Sequence, residues 1–545
     1  MDRRSFLKSG LSVGAVAASG NLAAPAIAQK AAAKTLRFVP QANLANFDPI
    51  WGTQYVVRNA SQLVWDTLYG IDDTLTAKPQ MLEGDTVSSD GLTWTFKLRT
   101  GLKFHDGAPV LAKDCVASIK RWSARDAMGQ MLAKIQKELV AVDDRTFKWV
   151  LSKPFTKMRY ALGKVGTPCC FIMPERFASI DPMKQITEFI GAGKPHAEFV
   201  GSGPMKFKIG DWVPGAKAVF EKFDGYVPRS EPSKWFSGGK VMLVDRVEWV
   251  IMPDPATASA ALQSGEVDWW ESPISDLIPV LKRNRNIKLD IADPLGNIGA
   301  FRLNHLHPPF KDVRVRRAVQ MALSQEDYMR AVVGNDTALW STIPGFFTPG
   351  APFYSELGGE PLKGPRNIDG AKKLLAEAGY SGLPVTCLVA QDQPPLKAMG
   401  EITADLLKKI GMAVDFVATD WGTVGQRRAS KNEPGKGGWG MFHTWHAGAD
   451  CANPAAHIAV RAGGEKGPAW FGWPEDPAVE KAVDEWFEAK SVEDEKAAIA
   501  RVNKAAMESV VFIPTGHYKS YQAWRSNIEG VVNGPLPWFW GVKKS

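Results

Sequence analysis

The densest group of metal-ligating residue types in the chain is His443, His446, Asp450, Cys451 and His457. Imidazole and thiolate hold transition metals, and the spacing of His443 and His446 can converge at a turn. Met441–Trp445 reads as a strand, however, which sends His443 and Trp445 to one face and His446 to the other. That parity argues against a shared ion. His305 and His307 share a strand face and run into Pro308-Pro309, as strand-end residues do. Cys169 and Cys170 are adjacent. A vicinal disulfide needs a strained turn, so two free or separately paired thiols are expected, and Cys451 is available to bridge another Cys in an oxidising compartment.

Catalytic patterns are weak or misplaced. Gly10, Ser12 and Gly14 match G-x-S-x-G, but they lie in a leader and not on a strand-to-helix turn. Gly435, Gly437 and Gly440 match G-x-G-x-x-G with no strand before them, so a glycine-rich loop is expected in place of a dinucleotide site. There is no H-E-x-x-H and no Walker lysine. Asp72-Asp73 and Asp143-Asp144 sit in turn contexts, where solvated carboxylates are the rule. No positioned nucleophile or acid pair emerges. The chain reads as a non-enzyme with no cofactor.

The elements that must carry any site come from 545 residues, 45% hydrophobic and 23% charged. That balance belongs to a folded globular chain, and the length suggests about three domains. The 50 Gly and 37 Pro exclude a long-helix protein. No body segment approaches about 18 consecutive apolar residues, so no membrane span is expected. Five Cys are too few for a disulfide scaffold. The 20 Trp suit core packing or an aromatic-lined pocket. The first residues are an address: DRRSFLK, an apolar stretch from Leu11 to Ala24, then Pro25-Ala26-Ile27-Ala28. Arg3-Arg4 with Phe6-Leu7-Lys8 resembles a twin-arginine export signal, with Asp2 departing from the usual Ser or Thr. A periplasmic location is expected, with residues 1–28 excluded from the fold. Basic residues are scattered. Arg314, Arg316 and Arg317 read as a solvated helix face, not a nucleic-acid patch.

Strands are expected at Thr35–Pro40, at Leu92–Leu98 with its period of two, and at Thr146–Leu151 as its neighbour. Another covers Arg246–Met252, followed by a small-residue helix ending at Gly265. Helices are expected over Gln62–Leu68 and Lys113–Arg125, and a long amphipathic pattern runs over 477–509. Pro384–Ala390, a helix bearing Met399, Ile402, Leu406 and Ile410, and Ala413–Ala418 form a β-α-β unit, which implies parallel strands in an α/β domain.

On these residues a resemblance appears. SDGLTWTFKLRTGLKFHDG (89–107) with the downstream Lys113-Asp114-Cys115-Val116 resembles the signature of the family 5 extracellular solute-binding proteins, the peptide- and nickel-type receptors of ABC importers. VGSGPMKFKIGDWVPG (200–215), PDPATASAALQSGEVD (253–268), FRLNHLHPPFKDVRVRRAVQMAL (301–323) and AKKLLAEAGY (371–380) come next in family order. The likeness covers nearly all of 35–535. It implies an α/β, two-lobed periplasmic-binding-protein clamp with an extra inserted domain. Domain I would take 29–61, 199–297 and 509–545, inserted domain II 62–198, and domain III 298–508. The lobes would close on ligand about hinge strands.

The resemblance also implies a job and a site. The job is capture of a peptide, or a peptide-like small organic solute, for an ABC-type inner-membrane permease. A metal chelate or an aromatic non-peptide solute is the alternative, with His443 and His446 as the metal candidates. A monomer is expected, with no nucleic-acid partner. Peptide-binding relatives place an Asp four residues before a Pro, near a Trp, to hold the ligand's amino group; Asp450 stands so before Pro454, with Trp445 nearby but two residues further off than in the family. Trp421 matches a pocket-wall Trp. Asn304 lies on the family's Asn-containing strand. Trp51, Tyr55, Trp269, Trp270, Phe346 and Phe347 lie in loops or at strand ends that can face a cleft. Some dipeptide receptors clamp the carboxylate with an Arg in the loop after the 384–390 strand. Here that loop reads QDQPP (391–395), with no Arg, which counts against a standard free dipeptide; several of those aromatic residues facing the cleft would favour an apolar, aromatic or capped ligand.

Overall fold

Alternating burial shows how the sequence makes its sheets. In the computed structural model, which describes residues 34–545, Thr93–Leu98 and Thr146–Leu151 each send every second side chain inward. They pair antiparallel with Trp94 opposite Trp149 and Phe96 opposite Phe147, and the facing rings hold the register. Leu82–Val87 and Gln136–Ala141 complete this four-stranded sheet. The export signal and the G-x-S-x-G match lie outside the described residues.

A seven-stranded mixed sheet has Thr35–Val39 near its centre, parallel to both Arg246–Val250 and Trp269–Trp270. The helix Pro255–Ser264 between those partners is fixed at both ends by local chemistry. Asp254 accepts the Thr257 N–H at 2.7 Å, Pro255 opens the first turn, and Gly265 ends it at φ 85°. A six-stranded sheet holds Asn297–Leu303, Met441–Ala447, Val385–Ala390, Val414–Thr419, Ile513–Tyr518 and Trp340–Ser341. The expected β-α-β unit is there: Val385–Ala390 and Val414–Thr419 run parallel, with Pro394–Lys409 between them and Gly411 at φ 88°.

The chain passes between these two sheets twice in close company. Ile287–Ile291 pairs antiparallel with Tyr521–Arg525 in the first sheet, and Asn297–Leu303 with Ile513–Tyr518 in the second. The two passages touch, with Ala292 N–H donating to the Ser520 carbonyl at 2.9 Å. Gly296 makes this possible. It sits at φ 64°, and a Cβ there would lie 2.7 Å from the Tyr518 carbonyl oxygen.

Several elements differ from expectation. The helix expected over 62–68 occupies Tyr55–Val64 instead, and Trp65 turns extended. Asp66 and Thr67 then form a short buried strand, because Asp66 is drawn into a buried ion pair with Lys240 at 2.7 Å. The 477–509 pattern is two helices, Pro477–Glu488 and Val492–Ser509, broken where Ser491 caps the second. Ile513–Tyr518 belongs to the six-stranded sheet, so the last passage lies near 519–520, whereas the expected division falls at 508. Arg316 is not on a solvated face. It is buried and donates to the carbonyls of Ser509 and Phe310, closing the C-terminus of the second helix, while Arg314 and Arg317 stay exposed. All five cysteines are free and buried, Cys451 included.

Candidate ligand-binding site

Two cavities lie between the sheets. The larger, about 300 Å³, is walled by Trp270, Glu271, Asp293, Asp392, Trp445 and Tyr521, among others. The smaller, about 40 Å³, is walled by Thr53, Tyr55, Trp421, Arg428, His446 and Asp450, among others. Gln41, Ala42, Gln393 and Trp445 border both. Aromatic walls with a few buried polar groups are the usual build of a small-solute site.

The two sides are bonded to one another around these spaces. Gln393 Nε2 donates to the Gln41 carbonyl at 2.7 Å. Tyr55, at the start of its helix, stacks on Trp445 with ring centroids 4.8 Å apart. Its hydroxyl donates to Asp450 Oδ2 at 2.7 Å and accepts the Ala447 N–H at 3.0 Å. One turn on, Arg58 lies 4.3 Å over the Tyr55 ring, and its Nη1 sits 3.6 Å from Asp450 Oδ1, both side chains buried. Burial pushes the Asp450 carboxyl up, and Arg58 opposes that shift. The Asp450 charge is therefore largely answered within the protein.

Arg428 is not answered. It comes directly after the short helix Trp421–Arg427, which is positioned by Asp420 accepting the Thr423 N–H at 2.9 Å and by Trp421 N–H donating to Asp392 at 2.7 Å. Arg428 is 2% exposed. Its guanidinium lies among the rings of Phe471 (4.6 Å), Trp470 (5.1 Å) and Trp421 (5.3 Å). Its Nη2 donates to the Thr53 hydroxyl at 3.2 Å, its Nε has no partner, and no carboxylate among the described residues pairs with it. Burial pulls its pKa down to about 9. Arg302, equally depressed to about 9 by burial, shows the contrast. Carbonyls of Ala459, Val511, Trp470 and Phe471 accept from it, and it borders neither cavity.

Two acids on the larger cavity are unusual. Glu271, pushed up to about 7 by burial, accepts from Gln41 N–H at 2.7 Å and Asn59 Nδ2 at 3.0 Å. Asp293, in the turn of the first passage between Ile287–Ile291 and Asn297–Leu303, accepts the Leu295 N–H at 2.9 Å through Oδ1, and its Oδ2 has no partner.

The expected site residues divide. Tyr55, Trp270, Trp421, Trp445 and Asp450 border the cavities. Trp269, next to Trp270, points the other way into the core against Phe38 and Phe539. Phe346 packs on Phe512 and Phe347 on His457, both fully buried. Asn304 is internal, spanning the Trp439 carbonyl and the Leu306 N–H. Trp51 borders neither cavity and lies beneath Arg125. His443 bonds Thr403 at 2.7 Å, while His446 sits on the opposite face against Trp470, as strand parity requires. Burial depresses both imidazoles, and among the described residues no three His, Cys, Asp or Glu gather to hold a metal ion. Sequence reasoning missed Arg58, Glu271, Asp293 and Arg428. Only Arg428 had a local signal: it lies seven residues after Trp421, two helical turns, and so shares its face.

A mixed α/β chain with two sheets joined by paired passages, enclosing part-charged cavities, defines a two-lobed binding protein. The sequence matches the family model for bacterial extracellular solute-binding proteins, family 5, over residues 76–455, and the chain belongs to that family. It is 33% identical, over the full length of both chains, to a probable peptide ABC transporter periplasmic-binding protein of Sinorhizobium fredii. Among solved structures, it resembles the binding protein AgaA in complex with agropinic acid, from A. tumefaciens R10 (TM-score 0.77, 22% identity, 94% and 99% of the chains). It also resembles a dipeptide-binding protein from Pseudoalteromonas sp. SM9913 in complex with Met-Leu (TM-score 0.76, 20% identity, 94% and 100%). No helix among the described residues is long and apolar enough to cross a membrane.

Proposed function

We propose that this chain is the periplasmic substrate-binding component of an ABC importer, capturing a short peptide or peptide-like solute between its lobes for a membrane permease. The observation that carries the reading is Arg428: a buried guanidinium on a cavity wall with no countercharge. A buried cation without a partner is costly, and a ligand carboxylate supplies the partner through charge-assisted hydrogen bonds. Such a clamp replaces the one absent from the 391–395 loop, so a free carboxylate is compatible with this pocket. Trp270, Trp421, Trp445 and Tyr55 serve as its walls. The names of the full-length relative and of the Met-Leu complex agree with a peptide; the complex with agropinic acid has a similar fold and a ligand named as an acid.

The family resemblance supports the remainder of the reading. The leader directs twin-arginine export, and the receptor works as a monomer without catalysis. One lobe combines domains I and II, with the other formed by domain III. Only a solute that favours the closed arrangement over the open one shifts the population toward it.

The test is native mass spectrometry of protein purified from the periplasm, with identification of any released small molecule. A thermal-shift and calorimetry panel of dipeptides, their amides and aromatic acids completes it. The expected result is a retained or micromolar-affinity solute bearing a carboxylate, about 8 kcal/mol of binding. A protein that retains no small solute and responds to none would overturn the reading.

A further inference from the structure

We propose that the ligand carries a cationic nitrogen, a primary ammonium or guanidinium, and that Asp293 is the residue that binds it, in place of Asp450. This rests on the solute-receptor reading above. Asp450 is already charge-paired: Tyr55 donates to Oδ2 at 2.7 Å, and Oδ1, which accepts no hydrogen bond, has the Arg58 guanidinium 3.6 Å away. Asp293 is 6% exposed and borders the larger cavity. Its Oδ1 is held by the Leu295 N–H, so the carboxylate cannot rotate freely, and its Oδ2 has neither a hydrogen-bond donor nor a cation within ion-pair distance among the described residues. Buried carboxylates are paired as a rule, so one on a cavity wall with an orphaned oxygen and, unlike Asp450, no cation beside it marks a partner supplied from outside.

The surroundings fit a cation. Glu271 and Asp392 border the same space, and Trp270 and Trp445 offer ring faces that attract positive charge. Burial, with the Asp450 charge added, pushes the free Asp293 carboxyl up to about 7; Arg58 and Lys519 act against this. A bound ammonium would draw it back to the ionised form. Arg428 borders the adjoining small cavity, and the two spaces meet at Gln41, Gln393 and Trp445. A solute with an anionic end at Arg428 and a cationic end at Asp293 spans both.

The experiment uses the mature protein, Asp293→Asn and Asp450→Asn. Asn at 293 keeps an oxygen to accept the Leu295 N–H, and circular dichroism checks the fold of each variant. Calorimetry compares a panel of dipeptides with uncharged side chains, whose only cationic nitrogen is the α-ammonium, with the N-acetylated form of each. The expected result is that acetylation and Asp293→Asn each weaken the best binder at least tenfold, while Asp450→Asn changes it less than threefold. Acetylation of the probe is the arm that does not depend on any variant folding. If Asp450→Asn abolishes binding and Asp293→Asn does not, the assignment is overturned. If the protein binds only solutes without a cationic nitrogen, the assignment is overturned while the receptor reading stands. Binding of no small solute of any class is the separate failure of the receptor reading, and the assignment falls with it.

Discussion

Asp450 with Arg58, and Arg428 a short distance away, are both buried charges between the lobes, and they are built in opposite ways. Asp450 has a guanidinium and a tyrosine hydroxyl, each reaching it from the other side of the cleft. Arg428 has one threonine hydroxyl and a surround of rings. A paired buried charge costs little more to keep, but its loss of partner is severe; an unpaired one is a standing cost that a ligand relieves. The comparison therefore assigns the first arrangement to holding the lobes and the second to recognising the solute. Arg302 confirms that orphaning is not a general consequence of burial here. Four carbonyls accept from it, and it borders neither of the two cavities.

The largest effect should come from breaking the paired arrangement. Arg58→Met leaves Asp450 buried without its cation and also frees the carbonyls of Val165 and Pro535. Unfolding free energy should fall by about 3–5 kcal/mol, read by denaturant titration. Arg428→Met should do the reverse on stability. It removes an unanswered charge, so the ligand-free protein should unfold no earlier than the parent. Affinity for a carboxylate-bearing solute should drop by about 2–5 kcal/mol, at least about thirtyfold. A variant that unfolds early without losing affinity would reverse the assignment of the two regions.

A smaller effect comes from pH. With the Asp293 carboxyl pushed up to about 7 in the free protein, it is mainly ionised above that pH and mainly protonated below. The neutral acid cannot pair with an ammonium. Affinity for an amine-bearing solute should therefore weaken on acidification from pH 7, approaching about tenfold per pH unit, or about 1.4 kcal/mol. Above about pH 8 it should fall again for a dipeptide, whose own α-ammonium loses its proton near that pH. Asp450, Arg58 and Lys519 face the same carboxyl and set where the midpoint falls. In Asp293→Asn the slope should shrink, measured by calorimetry from pH 5.5 to 8.5. A solute whose affinity is level across that range would show that no carboxyl near neutrality engages it.

The sheets were legible because their cause is local. Alternation fixes Thr93–Leu98 and Thr146–Leu151, and Asp254, Pro255 and Gly265 bracket a helix within a dozen residues. The site was legible only in part. Trp269 and Trp270 are neighbours, and a strand must send them to opposite faces, yet nothing local says which face is core. The structure gives Trp269 to the core and Trp270 to the cavity. Asp450 was found by likeness of pattern, but its partners Tyr55 and Arg58 lie nearly four hundred residues earlier. No spacing rule reaches that far. Asp293 was hidden for a different reason: Asp-Pro-Leu-Gly reads as an ordinary turn, and only the folded chain shows that one oxygen of its carboxylate goes unused.

The smallest expected effect tests the rim against the interior. Lys153, just past the strand Thr146–Leu151, reaches Glu488 at the end of the helix Pro477–Glu488 at 2.8 Å, an exposed contact to set beside the buried Arg58–Asp450 pair. Its side chain is 56% exposed and that of Glu488 65%. Exposed pairs return about 0–1 kcal/mol because water competes for both charges, and salt screens what remains within about 8 Å at physiological strength. Nearby, Lys157 pairs with Glu495 over the Trp486 ring, and Phe155 stacks near Phe487, so the rim has apolar contacts that survive loss of one ion pair. Lys153→Ala should change solute affinity by less than about threefold, and about 0.5 M salt should erase even that difference. A tenfold loss would mean that the lobes are held closed from the rim, and that the buried Arg58–Asp450 pair contributes less to closure than its geometry implies.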